Sequence, residues 1–382
     1  YTGFDYAITF LSFVLYSLPS FWVAVLLKQW GAIGFNNFLR DPTISLPMIL
    51  LLSAISAVIW QAIIAGDARR RLIVFGGVFG MSVAILYFIS ETKWLLDPEL
   101  GPVVVGLTGV GAGFAITALT AGLRNRRALS AALTTAAFGT VLYFPLQEFF
   151  RGEMTTPIML GLLLSAVLVA LVIGFLHGGP DKGQSMRAAA LTAVVVAFIT
   201  YFDRVLQVWE AYSNSTYIKN RPIATIGSQT PNLQGSYWAH ILDLCTHLVL
   251  PTLTLILISF ATYTRYSRAS LLEVMNQDYI RTARAKGLSE RVVIMRHAFR
   301  NALIPLATII PLDFASLFGG AIITERIFAW AGMGTLFYRS LQAADAEPLM
   351  GYFVVVATVL VLANVVVDFV YAALDPRIRV NA

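Results

Sequence analysis

YIRTARAKGLSERVVIMRHAFRNALIP runs from Tyr279 to Pro305. Arg281, Arg284, Lys286, Arg291, Arg296, His297 and Arg300 all fall inside it. The stretches on either side, 244–264 and 301–324, are almost free of charge. Roughly 20 apolar residues suffice to cross a bilayer core. The basic stretch is therefore a connection between two membrane crossings, and the rest of the chain can be counted outward from it.

The composition agrees. Of 382 residues, 58% are hydrophobic and 13% charged, against about 25% charged in a soluble domain. The chain is read as an all-α, polytopic membrane protein. Its net charge of +6 needs no nucleic acid, because cytoplasmic loops of membrane proteins gather Lys and Arg. A single cysteine, Cys245, excludes an intrachain disulfide and a cysteine metal site. His177, His240, His247 and His297 have no metal-ligand spacing, so no metal is expected. The chain opens on Tyr1 without a signal peptide, and the natural N-terminus is expected upstream.

Ten spans are expected: 6–27, 46–65, 72–90, 100–123, 128–147, 157–176, 188–208, 244–264, 301–324 and 350–374. Alternate connections are basic. They hold Arg69, Arg70 and Arg71; Arg124, Arg126 and Arg127; Lys182 and Arg187; the opening stretch; and Arg377 with Arg379. The intervening loops are acidic or mixed. With Arg265 and Arg268 just ahead of the opening stretch, the basic connections hold 18 of the 27 Lys and Arg, which places them and both chain ends in the cytoplasm.

The opening stretch has a shape of its own. Good helix formers precede Gly287, a residue that ends helices by adopting the left-handed conformation at no side-chain cost. Arg284 and Lys286 suit the negative end of that helix. Ser289 can cap the next helix, with Glu290 in its first turn. Val292, Met295, Phe299 and Leu303 recur at helical spacing and form an apolar stripe. The expectation is helix, glycine turn, helix, with an exposed tip of Thr282, Ala283, Ala285, Lys286 and Gly287 suited to a partner's groove. A basic loop that only fixes topology or touches anionic lipid would carry similar charge.

At this point motifs accumulate. QDYIRTARAKGLSERVVIMRHAFRNALIP, GGAIITERIFAWAGMGTLF, VVVDFVYAALDPRIR and SLPSFW resemble the ABC importer permeases of the dipeptide/oligopeptide/nickel family. RNALIP and DPRIR resemble the first of its two permease chains. The resemblance implies a type I importer transmembrane domain in a bacterial or archaeal cytoplasmic membrane. It implies that Arg281, Thr282, Ala283, Arg284, Ala285, Lys286, Gly287 and Leu288 form a coupling helix docking on an ATPase subunit. ATP and Mg would then bind the partner subunits, with no cofactor on this chain. The implied partners are a second permease chain, two ATPase subunits or a fused pair, an extracytoplasmic substrate-binding protein and the lipid bilayer. The broader family reads Glu-Ala-Ala, three residues, then Gly. Here Arg281, Thr282 and Ala283 hold that register ahead of Gly287.

The chain departs from the family in three places. The two spans with which the family usually begins are expected upstream of Tyr1, six spans between 46 and 208 are extra, and Ala331 follows Trp330 where the family has Pro. The organisation read is 1–40 as the first part of the permease, 41–208 as an insert, 209–243 as an extracytoplasmic loop and 244–382 as the permease core, with the coupling loop at 265–300. The insert reads as peripheral packing, or as a platform for another subunit. GLTGVGAG (Gly106, Gly109, Gly111, Gly113) suits close helix approach.

Asp313 falls near mid-span, where a lone charge costs about 2.5–3.5 kcal/mol. Either it lines a path, with Pro311, Pro19 and Ser20 bending their spans around a pore, or it makes an interhelical pair. Glu325, Phe328 and Trp330 read as an interfacial belt or, by the resemblance, as an external lid. No GxxxxGK[ST] occurs, so any ATP hydrolysis belongs elsewhere and the chain is not read as an enzyme. The rival functions are an ion-gradient-driven secondary transporter, which wants matched broken helices, and a non-transporting scaffold.

Overall fold

The computed structural model describes residues 3–64 and 66–374. Its main helices are α1 (Gly3–Ser17), α2 (Ser20–Phe38), α3 (Leu46–Ile64), α4 (Ala68–Thr92), α5 (Gly101–Thr120), α6 (Arg126–Phe149), α7 (Thr156–Gly178), α8 (Lys182–Leu206), α9 (Tyr237–Met275), α10 (Asp278–Ala285), α11 (Phe299–Phe318), α12 (Ile322–Ile327), α13 (Met333–Gln342) and α14 (Ala346–Leu374). Among the described residues, 9 helices are long and apolar enough to cross a membrane, and 10 spans result if the bent pair α1–α2 counts as one.

That pair corrects the first expected span. Residues 6–27 are not one kinked helix; α1 and α2 meet at 101°. Pro19 sits at the break in an extended conformation, φ −59° and ψ 141°. It has no N–H to continue α1, and it disfavours the helical region for Leu18 before it. Its carbonyl accepts from Trp22 and Val23, which starts α2. Leu27–Gly34 within α2 is π-helical.

Two compact units divide the chain. One takes Tyr1–Phe35, Ile223–Ser228 and His247–Ala382; the other takes Asn36–Pro222 and Gln229–Thr246.

In the second unit α3 and α4 pair as a hairpin, and α8 packs against α5, α6 and α7. Of the apolar window of α8, 39% is buried, against none in α4, so α8 is the axis of its group. Small residues make that packing possible. Ala131, Ala170, Ala189 and Ala193 form one buried cluster. A side chain at Gly174 would strike the Met186 backbone, with Cα only 2.5 Å away. Gly106, Gly109 and Gly113 face Thr140, Ala136 and Leu133 on α6, as the glycine-rich stretch predicts, whereas Gly111 faces open space.

Asp203 lies wholly buried in this unit. One carboxylate oxygen accepts from the Leu100 and Gly101 N–H groups at 2.6 and 3.3 Å, at the start of α5. The other accepts from the Tyr143 hydroxyl at 2.6 Å and from Gln207 at 2.9 Å. The carboxylate thus meets the positive end of a helix and joins three segments. Near the end of the same unit, Phe150, Tyr212, Trp238 and Leu242 share an apolar core. There Asp243 accepts from the Tyr212 hydroxyl at 2.8 Å and from the Thr230 N–H at 2.8 Å. Burial raises the Tyr212 hydroxyl well above its ordinary range.

In the first unit α11 packs on α14, and α12 packs on both α13 and the start of α2. Ala24, Ala32, Leu250 and Phe328 form its buried apolar centre.

Candidate coupling hairpin

The hairpin stands on the end of α9. That helix has 39 residues and is about 58 Å long at 1.5 Å per residue, well beyond a roughly 30 Å hydrocarbon core. The expected span 244–264 therefore continues by another three turns. Leu271, Val274 and Met275, near its end, pack against Ile280, Ala283, Val293 and Ala298, which are buried together. The Ser270 hydroxyl donates to the Ala302 carbonyl at 2.9 Å. α10 and the chain returning from it thus share a small core with the stalk.

α10 forms where the sequence predicts and stops at the glycine. Gly287 has φ +77°, and its N–H donates to the Arg284 carbonyl at 2.9 Å. Nothing lies within 4 Å of a Cβ built there, so glycine is demanded by the backbone alone. Ser289 begins the return at extended angles, and its side chain makes no cap. The link across the turn is electrostatic instead. Arg284 donates to Glu290 twice, at 2.7 and 3.1 Å. This hydrogen bonding holds the Glu290 carboxyl below its usual range and raises Arg284. Arg281 pairs with Asp278 at 3.5 Å.

Two expectations change here. Ala283 is buried at 7% exposure, not displayed at the tip. The outward face of the segment 281–288 carries Arg281, Thr282, Arg284, Ala285, Lys286, Gly287 and Leu288. The apolar stripe is also displaced. Val292, Met295 and Phe299 are exposed, while Val293, Ala298, Ala302 and Leu306 are buried. Val293–Ala298 is π-helical, with a wider turn than 3.6 residues, so the inward positions slip out of α-helical phase.

The other candidate residues fall into three further places. Pro19 and Ser20 mark the α1–α2 break. Pro311 and Asp313 lie within α11, where Asp313 is half-buried and near Tyr263 of α9. Glu325, Phe328 and Trp330 share one turn. The Glu325 carboxylate accepts from the Gly334 and Thr335 N–H groups at 3.2 and 2.7 Å, at the start of α13. Phe328 is 2% exposed in the apolar centre, and the Trp330 N–H donates to the Glu325 carbonyl at 2.8 Å. Glu325 and Phe328 hold this turn together from within. Asp203 with Tyr143, and Asp243 with Tyr212, were not legible as pairs, because no local spacing joins residues 60 and 31 apart in sequence.

Residues 128–380 match the family described as binding-protein-dependent transport system inner membrane component. The chain is 43% identical over 155 residues to the oligopeptide transport system permease protein OppB of Mycobacterium tuberculosis, covering 41% of this chain and 48% of that protein. It is 45% identical over 140 residues to the oligopeptide transport system permease protein AppB of Bacillus subtilis, covering 37% and 44%. It is 44% identical over 140 residues to the dipeptide transport system permease protein DppB of Escherichia coli K12, covering 37% and 41%. The chain spans about half the length of the curated relatives it matches. With a family match over most of its length, set on a helical membrane fold, this chain belongs to the inner membrane components of binding-protein-dependent transport systems.

Proposed function

We propose that the chain is a permease subunit of an ATP-driven importer for peptides or a related small solute, in a bacterial or archaeal cytoplasmic membrane. The carrying observation is the α10 hairpin, whose own small core fixes it rigidly to the end of the long helix α9. A rigid, basic, glycine-closed tip on a stalk suits a groove of a soluble subunit. Two ATPase subunits, or a fused pair, hold ATP and Mg, and a second permease chain completes the pore. An extracytoplasmic binding protein selects the solute. Closure of the ATPase pair moves the 281–288 tip, and α9 with α11 carries the motion into the membrane. Both chain ends lie on the hairpin's side.

The relatives' names carry the peptide assignment, and the segment 41–208 acts as peripheral packing. The test is mass spectrometry of what co-purifies in mild detergent, with and without Gly287→Trp. P-loop ATPase subunits with the wild type but not the variant support the reading. No ATPase with either overturns it and leaves the hairpin as a topology or lipid element.

A further inference from the structure

α6, α7 and α8 enclose an elongated cleft lined by Phe138, Leu142, Leu162, Val169, Ala197 and Tyr201 among others. Its hydroxyl groups are already engaged. Thr135 donates to the Ala131 carbonyl at 2.9 Å, Ser165 to Leu162 at 2.8 Å and Thr200 to Val196 at 2.8 Å. The Tyr201 hydroxyl reaches the Met159 carbonyl at 3.4 Å. No lining hydroxyl is left to call for water, so the cleft suits hydrocarbon.

Its length also fits a hydrocarbon chain. The lining runs from Thr135 to Leu146 on α6 and from Leu162 to Ile173 on α7, about 16 Å of helix in each case. That is close to half of a roughly 30 Å hydrocarbon core, one leaflet's depth. At the Leu146–Tyr201 end the chemistry changes. Arg204 stands one turn beyond Thr200 and Tyr201 on the same helix. Its Nε is buried with no hydrogen-bond partner, as is Oε1 of Gln147, the residue after Leu146. One Arg204 terminal nitrogen donates to Gln207 at 2.9 Å. Arg151 repels Arg204 while Asp203 and Glu148 attract it, and Arg151 itself pairs with Glu148 at 2.8 Å. Asp203, the other carboxylate close by, is engaged by Leu100, Gly101, Tyr143 and Gln207.

We propose that this cleft is a phospholipid site, in which one acyl chain lies along α6–α8 and the headgroup phosphate accepts from Arg204. A phosphate at the Arg204 guanidinium forms charge-assisted hydrogen bonds. A hydroxyl on the headgroup gives Gln147 its missing donor.

The test is photocrosslinking of the full-length chain in nanodiscs with phosphatidylglycerol carrying a diazirine on its acyl chain. Crosslinks should map by peptide mass spectrometry to residues 138–146 and 162–173. Unlabelled phosphatidylglycerol should compete several-fold better than phosphatidylcholine, and inorganic phosphate should not compete. Arg204→Gln should abolish the headgroup preference but keep the crosslinks, and Arg204→Lys should restore part of it. Ala197→Phe should remove the crosslinks. Crosslinks spread evenly over α3 and α4, or equal competition by the two lipids in wild type, would overturn the proposal. The wild-type map decides even if a variant fails to fold.

Discussion

At the level of single residues, the hairpin separates conformation from contact. A Cβ at Gly287 meets nothing, so its substitution tests φ alone. Gly287→Ala should loosen α10 by about 1–2 kcal/mol, the left-handed penalty, and Gly287→Asn should cost much less. Amide hydrogen exchange across Asp278–Ala285 reads both, and equal protection in all three proteins would show that the turn is not held as described. Ala283 tests the opposite case. Buried beside Ile280 and Val293, it has no room for a larger side chain, and Ala283→Leu should cost about 1–3 kcal/mol of local stability by overpacking. Uptake should fall while ATPase subunits still co-purify, because the tip residues are unchanged. Full uptake with unaltered exchange would contradict this packing. The Arg284–Glu290 pair adds a pH term. The Glu290 carboxyl is held low by Arg284, so the contribution is complete above the usual glutamate range and disappears as pH falls through the lowered value. Exchange protection at the turn should follow that course in wild type and be flat in Glu290→Gln.

At the level of elements, most helices were legible from apolar length, and the failures share a cause. Spans such as 46–65 and 157–176 correspond to Leu46–Ile64 and Thr156–Gly178. Hydropathy alone cannot say where a helix breaks or changes pitch. Pro19 was visible as a kink, but only the backbone shows that it turns the chain through 101°. The slip of the stripe at Val293–Ala298 was illegible, because a π turn depends on tertiary packing and has no residue signature of its own. The turn makes a prediction. Deleting Ile294 should remove the extra residue of the π turn and let that stretch return to α-helical pitch, keeping α11 nearly in phase but drawing it about 1.5 Å closer to the hairpin. The chain should insert normally, by protease accessibility of its loops, and fail to transport. Normal uptake would mean that the π turn is incidental.

At the level of the whole molecule, the family was legible in a few short motifs in and around the hairpin, while the second compact unit was legible as a count of spans and one glycine-rich contact face. Its cohesion comes from alanine and glycine contacts and from Asp203, all of which depend on which helices meet. Gly174→Leu tests this directly. With the Met186 backbone against it, α7 and α8 should be forced apart, lowering the thermal unfolding midpoint in detergent by several degrees. An unchanged midpoint would mean that α7 and α8 do not pack as closely as described.

Asp203 also bears on how the chain is made. Its carboxylate is joined to groups at Leu100, Gly101 and Tyr143, all nearer the N-terminus. Synthesis runs from that end, so α5 and α6 have left the ribosome before the acidic residue does. The charge enters the membrane with most of its hydrogen-bond donors already in place and needs to wait only for Gln207, four residues behind it. Moving α8 ahead of α5 by circular permutation would keep every contact of the finished unit, but it would deliver a bare carboxylate to the bilayer first.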